Sequence, residues 1–270
     1  MKISFIGGGN MASAIIGGLL RQGFAAADLH VVEPFAAGRE KLAREFAVAV
    51  SAQTDAALAQ SEVIVLAVKP QQMREAVAPL KEHLNRQLIV SIAAGIRLTD
   101  LSRWLGGHTR LVRCMPNTPA LIGAGITALY ADGSVDSTGR AAAERVLAAV
   151  GRAVWVDDEA LIDPVTAISG SGPAYVFYFL EAMQEAGREL GLPEATTREL
   201  ALETFIGAAR LAAQSPETFA TLRERVTSKG GTTAAALQVM NEHDMKAAFI
   251  EALKAASNRG RELGEEMGKS

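Results

Sequence analysis

The sequence predicts a doubly wound α/β domain over residues 1–158, followed by an all-α domain over 159–270. Three observations predict it. Short β-rich runs alternate with stretches of helical length through the first part. A glycine-rich turn joins the first of those runs to the first helix. After about Val156 no convincing strand occurs, and apolar residues fall at helical spacing instead.

The elements follow in order. Lys2 to Ile6 reads as the first strand and Met11 to Gln22 as the first helix. Further strands are expected at His30 to Glu33, Val63 to Val68 and Leu88 to Ile92, with a helix from Gln71 to His83 between the last two. Arg110 to Arg113, Ile126 to Tyr130 and Ala153 to Val156 complete the set. The run Val-Ile-Val-Leu-Ala-Val at 63–68 is apolar throughout, as befits a parallel strand buried on both faces. In the second part, Tyr175, Phe179, Met183, Ala186 and Leu190 mark one long helix. Glu199 to Ala213 carries apolar residues on more than one face: Leu200, Phe205, Ala208 and Leu211, but also Leu202, Ile206 and Ala209. A helix apolar nearly all round must be covered on nearly all sides. A domain of this size has little interior to hide it, so a partner subunit is expected to cover it. A single central helix inside one monomer is the other arrangement that fits.

Composition narrows the function. Hydrophobic residues make up 49% of the 270-residue chain and charged residues 21%, which supplies a core and excludes wholesale disorder. The net charge of -3 gives no basic footprint for nucleic acid. One cysteine, Cys114, permits no internal disulfide and fits a reducing, cytoplasmic compartment. His30, His83, His108 and His243 do not cluster in sequence, so no metal site is expected. No apolar run reaches the length of a membrane span, and no secretory leader is expected before the first strand. Residues 1–158 hold 16 Lys/Arg and 14 Asp/Glu, whereas 159–270 hold 11 and 16. The first part is therefore slightly positive, a sign that suits phosphate, although so small a difference also fits chance.

Chemistry begins at the turn. Gly7, Gly9 and Ala12 match G-x-G-x-x-G/A at the end of a strand and the start of a helix. The first glycine permits a tight turn, the second lets a pyrophosphate approach the backbone, and the small third residue packs helix on strand. The helix N-terminus offers free N–H groups to phosphate. A ligand-free turn would need none of the context, which includes Glu33, 21 positions after Ala12 at the end of the second strand. A carboxylate there accepts from ribose hydroxyls and repels a 2′-phosphate. Glu33 thus leans towards NADH without excluding NADPH, and Arg39 nearby could soften the preference. A solvated strand-end glutamate is the plainer reading.

Three more segments stand at strand ends or helix starts. Ala67-Val68-Lys69-Pro70 follows the buried strand, where Lys69 can reach cofactor ribose or phosphate and Pro70 can open a helix. Ser91–Gly95 and Cys114–Pro119 place small or rigid residues at two further strand ends. Ser169-Gly170-Ser171-Gly172-Pro173 reads as a flexible loop with Pro173 starting the long helix. Val226 to Leu237 combines Ser228, a Gly230–Gly231 pair, Thr232, Thr233 and an Ala-rich helix. That makes an anion-accepting helix start with hydroxyls attached, where an ordinary N-cap would explain only one of them.

Together these segments resemble the pyrroline-5-carboxylate reductase family, in order and over nearly the whole chain. The resemblance implies a Rossmann-type domain followed by an all-α dimerisation domain, a homodimer, and assembly of dimers into a larger ring. It implies NADPH or NADH as cofactor, held by Ile6, Gly7, Gly8, Gly9, Asn10 and Met11, together with Glu33, Thr54, Val68, Lys69 and Ala94. Glu33 stands where NADPH-preferring members can carry a small hydroxyl residue, and Thr54 where an Asn can occur. Substrate contacts are implied at Glu159, Ser228, Gly231, Thr232 and Thr233. Arg225 stands where relatives can carry an amide.

The implied reaction moves a hydride from the nicotinamide to the carbon of a cyclic imine, 1-pyrroline-5-carboxylate, and yields L-proline. It needs a carboxylate clamp, a hydrogen-bonding group near nitrogen and a well-placed cofactor. The N–H groups of Gly231, Thr232 and Thr233 with the Ser228 hydroxyl are expected to form the clamp without an Arg. Thr233 Oγ is expected to orient the ring nitrogen, with most of the rate coming from positioning. Glu159 is expected either to favour the charged iminium or to form a salt bridge between domains. Two other functions are weighed. A 3-hydroxyacid dehydrogenase of similar plan needs a Lys on the first long helix of the second part, yet no Lys occurs between Lys81 and Lys229. A nucleotide-sensing regulator has no use for a second anion site at Gly231–Thr233, although fold alone would not decide.

Overall fold

Parallel strands buried on both faces dominate the N-terminal part. A computed structural model describes residues 1–269. Contacts divide the chain into one unit of 1–171 with 254–269 and a second of 172–253.

The first unit contains β1 (Ile3–Ile6), α1 (Asn10–Arg21), β2 (Leu29–Val32), α2 (Ala36–Phe46), β3 (Ala49–Ser51) and β4 (Val63–Leu66). It continues with α3 (Met73–Val77), β5 (Leu88–Ser91), α4 (Leu98–Trp104), β6 (Leu111–Met115), β7 (Gly125–Ala131), α5 (Ser137–Leu147), β8 (Gly151–Trp155) and α6 (Ile162–Val165). Among the described residues the strands form one sheet in the order β3-β2-β1-β4-β5-β6-β7-β8. β1 to β6 are parallel, β7 runs antiparallel to β6, and β8 is parallel to β7. The order of the first six strands is that of the Rossmann fold. Alternate strand residues feed two cores. Phe5, Val31 and Val65 face one with Ile15, Ile16 and Leu19 of α1, while Ile6, Ile64 and Ile89 face the other with Val77, Leu101 and Trp104.

Three local expectations differ from the structure. β3 is a half-exposed edge strand of three residues, too short to show a period. The helix expected over 71–83 is broken into a 3₁₀ turn, α3 and a second 3₁₀ turn, because Pro79 cannot donate its share of the ladder. The loop expected at 169–172 is a π-helical turn, Thr166–Gly170, closed by Ser171 N–H donating to Thr166 O at 2.8 Å.

The units also depart from a division at residue 158. Residues 159–171 pack on β6: Asn117 Nδ2 donates to Ser169 O, and a Cβ on Gly170 would lie 2.5 Å from Met115 Cε. The end of the last helix belongs to the first unit as well. Gly264 lies so close to Gly95 that a Cβ on it would sit 3.4 Å from that carbonyl oxygen, and Arg97 Nη2 donates to Arg261 O.

The second unit contains α7 (Gly172–Glu189), α8 (Glu194–Gln214), α9 (Phe219–Arg225), α10 (Thr232–Glu242) and the start of α11 (Met245–Lys269). Tyr175 and Phe179 pack edge-on against Phe249. Gly187 lets α8 approach α7 at Thr197, whose side chain would overlap any Cβ there.

Candidate functional site

Strand register gathers the expected cofactor residues. Ile6 pairs with Val32 and with Leu66, and Leu66 pairs with Ser91. The segments that follow, at Gly7, Glu33, Ala67–Lys69 and Ile92–Ala94, therefore leave the sheet along one carboxyl edge. β1 lies between β2 and β4 there, the switch point at which open α/β sheets bind ligands.

The loop geometry fits a dinucleotide. Gly7 has φ of 95°, and a Cβ on it would sit 2.9 Å from both Ala67 O and Val68 Cγ1. A Cβ on Gly9 would meet nothing within 4 Å, so open space lies beside the backbone before α1. Gly9 caps α1 with no side-chain hydrogen bond, which leaves the first-turn N–H groups at Asn10, Met11 and Ala12 to donate to an anion. Ile6 faces the core, so only its backbone is offered at this edge. Val68 and Thr54 are half-buried, and Lys69 and Ala94 are exposed.

Glu33 is not a solvated strand-end glutamate. It is 8% exposed, and both carboxylate oxygens are engaged. Oε2 accepts from Gly8 N–H and Oε1 from Phe35 N–H, each at 2.9 Å. Arg39 Nη1 donates to the carbonyls of Glu33 and Pro34, each at 2.8 Å.

The expected substrate residues come together in the second unit. Ser228 to Gly231 form a tight turn ahead of α10, with Gly230 at φ of 72°. Gly231 N–H donates to Ser228 O at 3.0 Å. This corrects one expectation: that N–H closes the turn, so it does not serve the clamp. Gly231 contributes its missing side chain, since a Cβ would collide with Ser228 Oγ. α10 then begins without a side-chain cap, leaving the N–H groups of Thr232 and Thr233 at its open end. Ser228 and Thr232 are exposed and Thr233 is half-buried. Arg225 is paired with Glu217, whose Oε2 is buried without a hydrogen-bond partner.

Glu159 sits in a different setting from those residues. Its Oε1 accepts from Leu98 N–H at 2.8 Å and from Arg113 Nη1 at 3.1 Å, and Arg113 Nη2 reaches Asp163 Oδ1 at 3.2 Å. Glu159 does form an ion pair, one of the two roles expected of it, but inside the first unit, beside a cavity of about 460 Å³ that Arg97, Asn258 and Arg261 also line. Arg113 was missed as a structural centre. The available signal is a guanidinium inside the apolar run Leu111–Met115, which must find carboxylates when buried. Cys114 is buried, and burial pushes its thiol up, away from nucleophilic use. No group of three or more His, Cys, Asp or Glu is placed to hold a metal among the described residues. No helix there is long and apolar enough to cross a membrane.

Known proteins share this arrangement. Residues 159–263 match the family model described as pyrroline-5-carboxylate reductase dimerisation, and residues 2–95 match one described as NADP oxidoreductase, coenzyme F420-dependent. The pyrroline-5-carboxylate reductase of Pseudomonas aeruginosa is 48% identical over 269 residues, covering 99% of this chain and 98% of the relative. Among solved structures, a pyrroline-5-carboxylate reductase from Coxiella burnetii superposes with a TM-score of 0.91 at 39% identity, covering 97% of this chain and 98% of that one. A Plasmodium falciparum pyrroline carboxylate reductase with NADP bound gives 0.87 at 27% identity, covering 98% of each chain.

Proposed function

The chain belongs to the pyrroline-5-carboxylate reductase family, and from that premise we infer how its own residues carry out the reduction. It is an NAD(P)H-dependent oxidoreductase that converts 1-pyrroline-5-carboxylate to L-proline, the last step of proline biosynthesis. Identity along the whole chain is the observation that carries this conclusion.

The residue roles are our reading. When bound, the reduced nicotinamide supplies the hydride. The pyrophosphate is held by the Gly7–Met11 loop, where Gly9 offers an unobstructed backbone and α1 its N–H groups. Glu33, Thr54, Val68, Lys69 and Ala94 hold the rest of the cofactor, all on or beside the same carboxyl edge. In the second unit, Thr232 and Thr233 N–H groups with the Ser228 hydroxyl bind the substrate carboxylate. Gly231 supports them by seating Ser228. Thr233 Oγ1 orients the imine nitrogen. A hydroxyl is a weak acid at neutral pH, so positioning supplies most of the rate. Glu159 acts as a positioning residue, holding Leu98 and Arg113, and the engagement of its Oε1 supports that role over direct protonation.

We further propose a homodimer, assembled into a ring of dimers, in the cytoplasm. The support for self-association is a second unit that leaves Phe177, Tyr178, Leu200, Leu211 and Phe219 between 55% and 80% exposed in the single chain. The activity is tested by mixing the chain with pyrroline-5-carboxylate and either NADH or NADPH and following cofactor oxidation. Turnover is expected, and none with either cofactor would overturn the reading.

A further inference from the structure

We propose that the first unit carries a second anion site, on the α3–α4 side of its sheet and separate from the cofactor edge. It takes a di- or triphosphate group, free or carried by a nucleotide.

The site is a cavity of about 520 Å³ whose walls include Arg74, Lys81, Arg103, Trp104, Gly268 and Lys269. All six belong to the first unit, so the cavity is complete within one body. α3 and the 3₁₀ turn after it supply Arg74 and Lys81, α4 supplies Arg103 and Trp104, and the end of α11 supplies Gly268 and Lys269. Packing brings the three segments together. Val77, Leu80, Leu101 and Trp104 are buried in one core of the sheet, and Met267 packs against it, which leaves the charged neighbours on the outer side. Gly268 comes so near α4 that a Cβ on it would lie 2.6 Å from Asp100 Oδ2. α1, which the glycine turn opens, packs on the other core, so the glycine turn and this cavity are served by opposite faces of the sheet.

Charge says what the cavity takes. Arginine and lysine side chains line it and, among the described residues, no acidic one does. The carboxylate beside Gly268 is already engaged: Asp100 Oδ1 pairs with Arg103 Nη2 at 2.9 Å. The same nitrogen donates to Gly268 O at 2.6 Å, so this guanidinium also helps to end α11. Helix C-termini favour cations, which accounts for Arg103 and Lys269. It does not account for Lys81, which reaches the same cavity from a separate segment. The Lys81 stem lies along the chain after α4, where a Cβ on Gly106 would sit 3.8 Å from its Cδ, and Lys81 forms no ion pair among the described residues. The chain as a whole carries a net charge of -3, so this gathering of cations is local. Like charges held in one recess repel, and a bound anion removes that repulsion. Cations from three segments suit an anion with several charged groups in series, where a single carboxylate would engage one or two. Trp104 is 8% exposed and offers too little ring for a base to stack on, so the phosphates are what the site reads.

Titration calorimetry on the full chain, at low salt and without divalent metal, tests this with sodium triphosphate and with ATP as probes. Triphosphate is expected to bind, and ATP to match it within about threefold, because the base adds little. Lys81→Glu should weaken both by about tenfold or more, and Lys81→Gln, which removes only the charge, by a smaller factor. Neither substitution should change the affinity for ADP-ribose, which reports the cofactor edge and shows that the variant is folded. Should Lys81→Glu fail that check, Lys81→Gln decides alone. The affinity for triphosphate should fall as salt is raised, and fall less steeply in Lys81→Gln. Absence of triphosphate binding to the unaltered chain overturns the proposal, and this arm needs no variant to fold. Binding of triphosphate that both Lys81 variants retain in full overturns it too, since the anion then sits elsewhere, as at the glycine turn. Binding of ATP without binding of triphosphate would show a base-reading site and overturn the reading of the phosphates.

Discussion

Thr233 is the hydroxyl proposed to orient the imine nitrogen. It stands in the first turn of α10, half-buried, where backbone N–H groups have no helical acceptor. Thr233→Ala should lower kcat/KM by about 10- to 100-fold through lost orientation, with the fold intact by circular dichroism. Unchanged kinetics would remove Thr233 from the mechanism. His30 carries a different prediction. It is buried on β2, with Ser4 Oγ 3.2 Å from Nδ1 and Ser51 Oγ 3.0 Å from Nε2, and burial holds its pKa below the ordinary value despite Asp55 nearby. The unfolded chain therefore takes up the proton first. The stability His30 contributes is present above about pH 6.5 and is lost as pH falls below it. Melting temperature should drop on acidification through that range, and less steeply in His30→Asn. Identical slopes in the two proteins would contradict this.

At the scale of elements, the join between β6 and α6 depends on one guanidinium. Arg113 is 3% exposed within a strand and ties Glu159 and Asp163, four residues apart and thus on one side of the helical segment. Removing it leaves two carboxylates facing each other with no cation between them. Arg113→Ala should cost about 3 kcal/mol, read as a lower midpoint in urea. A shift within about 0.5 kcal/mol would show the pair to be solvated. The same join explains why the units separate after Ser171. The Thr166 and Ser169 hydroxyls bond back to Ile162 and Val165 carbonyls, and the π-turn between them sets residues 166–170 against Met115. Small residues at 169–172 suggested a loop because glycine and serine are common in loops. Here they serve close packing.

The whole molecule is predicted to be at least a dimer. α8 buries only Thr197 and Ala201 in the single chain, although its sequence is apolar on several sides. Such a surface on a lone subunit is an association site. Sedimentation equilibrium should return a mass at or above twice that of one chain, and Leu200→Glu with Leu211→Glu should lower it. A monomeric mass for the unaltered chain would overturn the assembly.

Sequence alone determined the order and type of most elements, the glycine turn, Glu33 at its distance from it, and the helix start at Ser228–Thr233. These are local signals: a period, a residue that tolerates positive φ, a free helix terminus. Tertiary structure decided what depends on partners distant in the chain. It clamped the Glu33 carboxylate at both oxygens, gave the Gly231 N–H to the turn, and made Glu159 a partner of Arg113. It also added β3, which exists only because β2 offers three residues an edge to pair with. Each of these outcomes is set by which donor meets which acceptor, and that meeting is fixed by packing across the fold and not by spacing along the chain.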